Sequence, residues 1–260
     1  MTTGHISPSG DPKITVITVC FNSAATIGDS LQSVAEQSWP HVEHIVIDGA
    51  STDATLSVID RFRPHLARVV SEPDRGIYDA MNKGLALASG DIVCFLNADD
   101  MYAHGRVLAE VAGAMSRHKL DALFGDVVFF KPDAPDRVAR RYRSHHFHPG
   151  AIARGWMPPH PGLFVRRAIF ERVGGFRDNY RIAGDFEFVA RAFGKGDLRY
   201  QYLPEVLVKM RTGGVSTAGW RSKLLLNKEV LRACRENGIQ TSMLRILFKY
   251  PAKLLELLNR

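Results

Sequence analysis

Between Lys13 and Leu96 the chain repeats one pattern: a short β-branched or apolar run, a polar break, then apolar positions at helical spacing. Lys13 to Cys20 predicts a first strand, broken at Phe21-Asn22-Ser23, and Ile27, Leu31, Val34 and Ala35 space Ala24 to Ser38 as a helix closed by Trp39-Pro40. Glu43 to Asp48 predicts a second strand, ended by Gly49-Ala50-Ser51-Thr52-Asp53, with a helix following through Leu56, Ile59 and Phe62. Arg68 to Ser71 predicts a third, and Ile77 to Ala88 a helix leading into the unbroken run Ile92 to Leu96, which reads as a strand buried on both faces. Strands and helices alternating at this spacing imply a parallel sheet with right-handed crossovers, whose ligand lies beyond the strands' carboxyl ends. Asn22, Asp48, Asp74 and Asp99 all fall at such ends.

The pattern continues less regularly. Val107 to Met115 predicts a helix, Ala122 to Phe130 a strand, and the charged stretch Lys131 to Arg143 an exposed hairpin or loop. Leu163 to Arg166 predicts another strand, Gly184 onward a helix, and Leu198 to Leu203 and Val206 to Met210 two more strands. Gly213 to Ser216 reads as a flexible loop and Trp220 to Glu236 as a helix. Leu244 to Leu258 is basic and amphipathic around Pro251; it suits an anionic membrane surface, and equally the core or a second subunit in a homo-oligomer.

Length and composition narrow the class. At 260 residues the chain can bury one large α/β core, and no stretch approaches the length that crosses a bilayer. Met1 to Pro12 lacks a basic segment followed by an apolar one, so it reads as a disordered leader on a cytoplasmic protein and not as a secretory signal. Three cysteines, two of them inside strand runs, read as buried reduced thiols. A net charge of +7 favours anionic partners, but no nucleic-acid-binding module accompanies it. Neither Gly-x-Gly-x-x-Gly nor a Gly-x-x-x-x-Gly-Lys phosphate loop is present, so phosphates would be held by metal and side chains. His145, His146 and His148 have no Cys or second His pair at ligand spacing, which argues against zinc. The basic run Arg137, Arg140, Arg141 and Arg143 reads as a solvated face or as a contact for an anionic acceptor or membrane.

The stretch Asn97-Ala98-Asp99-Asp100 carries the strongest chemical signal. Two adjacent carboxylates at the end of a central strand repel each other and call for a cation, and Mg²⁺ or Mn²⁺ with a phosphate-bearing ligand suits them. The alternative is that they cap the next helix.

Five segments, Ile14 to Asn22, Val46 to Asp53, Asp74 to Gly84, Phe95 to Asp100, and Gly174-Gly175-Phe176 with Ala183 to Phe188, together resemble family 2 glycosyltransferases of the GT-A fold. The likeness runs from about residue 13 to about residue 212 and is nearest the bacterial exopolysaccharide and lipid-linked oligosaccharide type. It implies a mostly parallel central sheet flanked by helices. A leader (1–12) would precede a nucleotide-sugar-binding half (13–105), an acceptor-binding half (106–215) and C-terminal helices (216–260). It implies that Val19, Phe21 and Asn22 lie against the nucleotide base and that Asp48 hydrogen-bonds it, usually uracil; the plain reading of Asp48 is a turn residue before Gly49. Asp53 reads as a helix cap. Asp74, Arg75 and Lys83 become candidate donor contacts, whereas Asp79 and Asn82 serve either the donor or the local fold. The family's Asp-x-Asp appears as Asn97-Ala98-Asp99, which leaves Asp99, with Asp100, to ligate the metal.

Asp185 takes the place of the catalytic base, with a helix N-cap as its plain reading. His160, Glu187 and Arg191 become acceptor-side candidates. The activity implied is metal-dependent, inverting transfer of a sugar from a nucleotide diphosphate donor, UDP-linked by preference, to a glycan or lipid-linked acceptor. The competing reading is a non-catalytic nucleotide-sugar-binding module in which Asn97 marks a degenerate metal site. A nucleotide-sugar pyrophosphorylase would carry a Gly-rich signature where this chain has Cys20-Phe21-Asn22-Ser23-Ala24.

Overall fold

The β-branched run near the start of the chain forms β1 (Ile14–Cys20), and all seven of its residues are buried. A strand with no polar face belongs in the middle of a sheet. The structure is a computed structural model describing residues 10–213 and 220–248. In it β1 runs parallel to β2 (Val42–Asp48), and β3 (Arg68–Ser71) lies parallel outside β2. β4 (Ile92–Phe95) lies parallel on the other flank of β1. Helices α1 (Ile27–Ala35), α2 (Thr55–Asp60) and α3 (Ile77–Leu87) make the crossovers. The chain therefore steps outward from β1 to β3 and returns to β4 on the opposite side. Between β1 and β4 the strand order reverses, and the carboxyl ends at such a switch point are where ligands bind in sheets of this kind.

Beyond this half come β5 (Asp100–Tyr102), α4 (Val107–Arg117), β6 (Ala122–Lys131), β7 (Ala134–Tyr142), β8 (Leu163–Arg166), α5 (Arg167–Val173), α6 (Gly184–Phe193), β9 (Tyr200–Arg211), α7 (Trp220–Glu236) and α8 (Met243–Leu247). The sheet order is β3-β2-β1-β4-β8-β6-β9-β5, with β7 paired to β6. It is a mixed, mostly parallel sheet flanked by helices, the arrangement expected. β8 is antiparallel to both β4 and β6, whereas β9 is parallel to β6.

Several elements differ from the sequence reading. The two strands expected between Leu198 and Met210 are one, β9, with extra residues bulged out where Phe124 pairs Tyr202 but Asp126 pairs Val206. Pro204 and Glu205 sit in that bulge, where a missing N–H costs no ladder bond. The first helix is shorter than its apolar spacing suggested, and β5 and α5 were not foreseen. Pro12, placed in the leader, is buried, and its carbonyl accepts a hydrogen bond from Trp39 Nε1 at 3.1 Å. Most of the Gly213 to Ser216 loop and of the amphipathic stretch beyond Phe248 lies outside the described residues.

The core has two large faces. On one, Val107, Leu108, Val111 and Met115 of α4 pack on Ile14, Ile92 and Leu123. The other joins Phe95, Phe170, Phe176 and Phe188 to Val230, Ala233 and Cys234 of α7, so α7 is part of this core. α8 buries Ile246 and leaves Leu244, Leu247 and Phe248 exposed. Among the described residues no helix is long and apolar enough to cross a membrane. The three cysteines are free and buried. α3 lies so close to the sheet that a Cβ on Gly84 would fall 2.4 Å from Ile17 Cγ2.

The amino end of the sheet is sealed by a satisfied carboxylate. Glu43 accepts from Lys13 Nζ (3.0 Å), Thr15 Oγ1 (2.6 Å) and Ser89 N (2.7 Å). Burial alone would raise its pKa, but these donors outweigh burial and hold it at about 2. The carboxyl end is different.

Candidate functional site

The loops after β1 and β2 are laced together by short polar side chains. Asn22 adopts a left-handed backbone (φ 48°); its N–H reaches Ser51 Oγ at 2.8 Å, and its Oδ1 accepts from Thr52 N at 2.9 Å. Asp53 accepts from Thr55 N at 2.9 Å and Ala24 N at 3.2 Å, so it organises the start of α2. Val19 is buried in β1, while Phe21 turns its ring outward, 62% exposed.

Asp48 is fully buried at the end of β2. One carboxylate oxygen accepts from Ser51 N (3.0 Å) and Ser71 Oγ (2.6 Å); the other accepts from the Ser51 hydroxyl and the Cys20 thiol. Burial would raise its pKa, but these hydrogen bonds prevail and hold it below the usual carboxylate range. Both oxygens are thus occupied inside the fold.

Asp74 is placed differently. Its Oδ1 pairs with Lys83 Nζ at 2.6 Å, while its Oδ2 lies over Gly49, 2.9 Å from where a Cβ would stand. The same Cβ would sit 3.4 Å from the Phe21 ring, so an aromatic face and a carboxylate edge meet above a residue without a side chain. Lys83 also binds Glu72 at 2.9 Å. Arg75, 76% exposed, bridges Asp79 (2.9 Å) and Asp178 (3.0 Å). Asn82 clamps the Gly174–Phe176 turn by donating to Phe176 O (2.7 Å) and accepting from Phe176 N (2.8 Å), so its role is local.

At the end of β4 the acids are not compensated. Asp100 is buried, its only side-chain donor being Asn97 Nδ2 at 3.2 Å, and burial together with the Asp99 charge pushes its pKa well above the ordinary value. Burial raises Asp99 too. Asn97 Oδ1 is buried without a hydrogen-bond partner, and among the described residues no ion pair reaches Asp99 or Asp100. Ala98 is buried between them. Three hard oxygen donors, one orphaned and two reluctant to ionise, fit a small divalent cation better than a helix cap. The charge of Arg211, at the end of β9, lowers the Asp99 pKa through space. Arg211 pairs with Asp29 and lies over the Phe130 ring, and its Nε is buried without a partner.

Asp185 stands in the first turn of α6. It accepts from Phe186 N at 2.7 Å; the Tyr78 hydroxyl, whose hydrogen goes to Ile182 O at 2.6 Å, lies 3.5 Å from Asp185. Burial raises the Asp185 pKa to about 6, with the Glu229 charge acting in the same direction. Tyr78 belongs to the first turn of α3, which follows the carboxyl end of β3, so Asp185 is held at the same edge of the sheet as Asp99. A chain of buried rings links β4 to α3: Phe95 of β4 stacks on His160 (5.2 Å between centroids) and meets Phe176 (5.1 Å), which stacks on Tyr78 (5.8 Å). Burial depresses His160 to about 4, so it is a neutral member of this row of rings. Glu187 and Arg191 turn away from Asp185. Glu187 is fully buried between Arg191 (2.8 Å) and Arg177 (3.2 Å), and Arg191 donates to the carbonyls of Gly174 (3.0 Å) and Gly175 (2.7 Å). They support the turn behind the site.

Tyr78, Arg211 and the acids of α7 were not singled out from the sequence, because each acts through a partner distant along the chain. Of the basic run on β7, Arg141 pairs with buried Asp126 at 2.8 Å and Arg140 covers the Phe129 ring, so two of the four serve the hairpin itself.

Residues 15–174 match glycosyl transferase family 2. The chain is 30% identical over 234 residues to a PGL/p-HBAD biosynthesis glycosyltransferase of Mycobacterium tuberculosis, covering 85% of this chain and 83% of the relative. It is 33% identical over 187 residues to an uncharacterized glycosyltransferase of the same organism, covering 70% and 69%. Among solved structures it resembles S. aureus TarS 1-349 in complex with UDP-GlcNAc (TM-score 0.67, 21% identity, 84% of this chain). It also resembles the mannosyltransferase PcManGT from Pyrobaculum calidifontis in complex with GDP-Man and Mn²⁺ (TM-score 0.64, 24% identity, 87% of this chain). The chain spans 66% of each of those two structures and 40% of a longer TarS chain, and the likeness shows a shared fold.

Proposed function

The chain belongs to glycosyl transferase family 2, and from that membership we propose that it transfers one sugar from a UDP-sugar to a hydroxyl of a glycan or lipid-linked acceptor, with inversion at the anomeric carbon. The observation that carries this reading is that two acids after β4 which no ion pair reaches, and a carboxylate whose pKa is raised to about 6, lie at the same edge of the sheet. We read them as the two parts inversion needs: a cation-binding edge for the leaving diphosphate and a base on the other side of the sugar. The UDP-GlcNAc complex of TarS and the synthesis named for the mycobacterial relative support a UDP-sugar donor and a cell-surface glycan or glycolipid product.

Asn97 Oδ1, Asp99 and Asp100 would hold Mn²⁺ or Mg²⁺. Such an ion supplies Lewis-acid stabilisation of the diphosphate. Phe21 offers its exposed face to the base, and Asp74 Oδ2, over Gly49, accepts the base's ring N–H. Asp48, expected in that role, has its oxygens committed within the fold, so it shapes the pocket from beneath. Asp185 takes the proton of the acceptor hydroxyl as the new bond forms.

A screen of nucleotide sugars for release of the nucleoside diphosphate, with the acceptor replaced by water, tests this function. UDP-sugars should be hydrolysed when Mn²⁺ or Mg²⁺ is present and not in excess chelator. In Asp74→Asn the donor KM should rise about tenfold, the cost of one charge-assisted hydrogen bond, whereas Asp48→Asn should chiefly lower the melting temperature. Binding of UDP with no release from any donor would select the non-catalytic module instead.

A further inference from the structure

The loop that delivers Asp185 is held by side chains of α7, one of which binds three of its amides. Glu229, 8% exposed in the middle of α7, accepts three consecutive backbone N–H groups: Arg181 N at 2.8 Å on one oxygen, and Ile182 N at 2.9 Å and Ala183 N at 2.8 Å on the other. These residues immediately precede α6, and the Ile182 carbonyl of the same loop anchors the Tyr78 hydroxyl that lies 3.5 Å from Asp185. Neighbouring side chains of α7 reinforce the attachment. Glu236 binds Arg177 (2.6 Å) and the Tyr180 hydroxyl (2.8 Å), and Arg232 lies 4.4 Å from the centroid of the Tyr180 ring. A carboxylate that gathers three successive amide donors fixes their orientation far more tightly than water could, because each bond is charge-assisted and shielded.

We propose that Glu229 is a positioning residue for the reaction: it sets the backbone from which Asp185 projects and places a second negative charge behind the base. The proposal rests on the reading of Asp185 as the base and adds what that reading lacks, namely what fixes this carboxylate in place and adds to its reluctance to ionise. The titratable groups that face Asp185 are Tyr78 from α3 and Glu229 from α7. Burial is the main cause of the raised pKa; the Glu229 charge adds to it. A second negative charge close by disfavours ionisation of the first, so removing it should make Asp185 ionise at lower pH. The anchor itself works through geometry, since a displaced base loses alignment with the acceptor hydroxyl.

The test compares Glu229→Gln with wild type and with Asp185→Asn, each checked for a native circular dichroism spectrum and melting transition. Gln keeps the length and one acceptor oxygen but loses the charge and sets an N–H₂ against an amide donor. In Glu229→Gln, kcat should fall by about 10- to 100-fold with donor KM within twofold, and the acidic limb of the kcat profile should move to lower pH. A residue that served only the scaffold would lower the melting temperature without moving that limb. A folded Glu229→Gln whose kcat and acidic limb match wild type overturns the proposal. Full activity in Asp185→Asn overturns the underlying reading instead, so the two failures are told apart. Should Glu229→Gln not fold, Glu229→Asp, which keeps the charge but draws the carboxylate back from the three amides, should lower kcat with the limb in place, and wild-type kcat in it counts against the proposal.

Discussion

Replacing Asp185 by Asn should lower turnover about 10³-fold while making the protein more stable. The two effects share one cause. In the folded chain the carboxyl keeps its proton up to about pH 6, against an ordinary value of 3.8. A carboxyl whose pKa is raised on folding costs nothing below its unfolded value; the cost grows as the pH rises through 6 and is complete above it. Asn has nearly the same shape and no such cost, so at pH 7.5 the variant should gain about 1–3 kcal/mol, discounted because the side chain is only half-buried. Differential scanning calorimetry beside a turnover assay reads both quantities. In wild type the activity should fall off below about pH 6 as the base becomes protonated. A variant that is inactive but less stable would mean that Asp185 acts as the cap of α6 and not as an ionising base.

The second large effect is expected at the other side of the sugar. Asp99→Ala should remove the metal-dependent part of UDP affinity, a loss of about 10²-fold, and leave metal-free UDP binding as it was. Asn97→Asp should do the opposite and tighten metal-dependent binding, since it restores an anionic donor where Asn97 Oδ1 stands buried without a partner. Isothermal titration with UDP, with and without Mn²⁺, separates the two. Equal Mn²⁺ dependence in wild type and Asp99→Ala would move the cation away from the end of β4.

How much of this was legible in the sequence depended on how local the cause was. β1 and β4 were readable because a strand buried on both faces must be apolar throughout, and Ile14–Cys20 and Ile92–Phe95 are. The position of Asp99 at a carboxyl end followed from the alternation of strands and helices. β5 was not readable: it is three residues long and begins with a buried acid, Asp100, which breaks any strand pattern. Asp48 shows a different limit. Its place at a strand end was foreseen, but Ser71, which occupies one of its oxygens, comes from the neighbouring strand, 23 residues away. Nor could the spacing of α7 reveal Glu229, for an amphipathic helix advertises an apolar face without saying which backbone its polar residues will meet. The three amides it binds lie 46 to 48 residues earlier.

The central claim is that one carboxylate acts across the sugar from the diphosphate, and stereochemistry reads it most directly. Proton NMR of the sugar first released from an α-linked UDP donor, recorded before the anomers equilibrate, should show the β anomer. An α product from the same donor would place the attacking and leaving oxygens on one face and contradict the role given to Asp185.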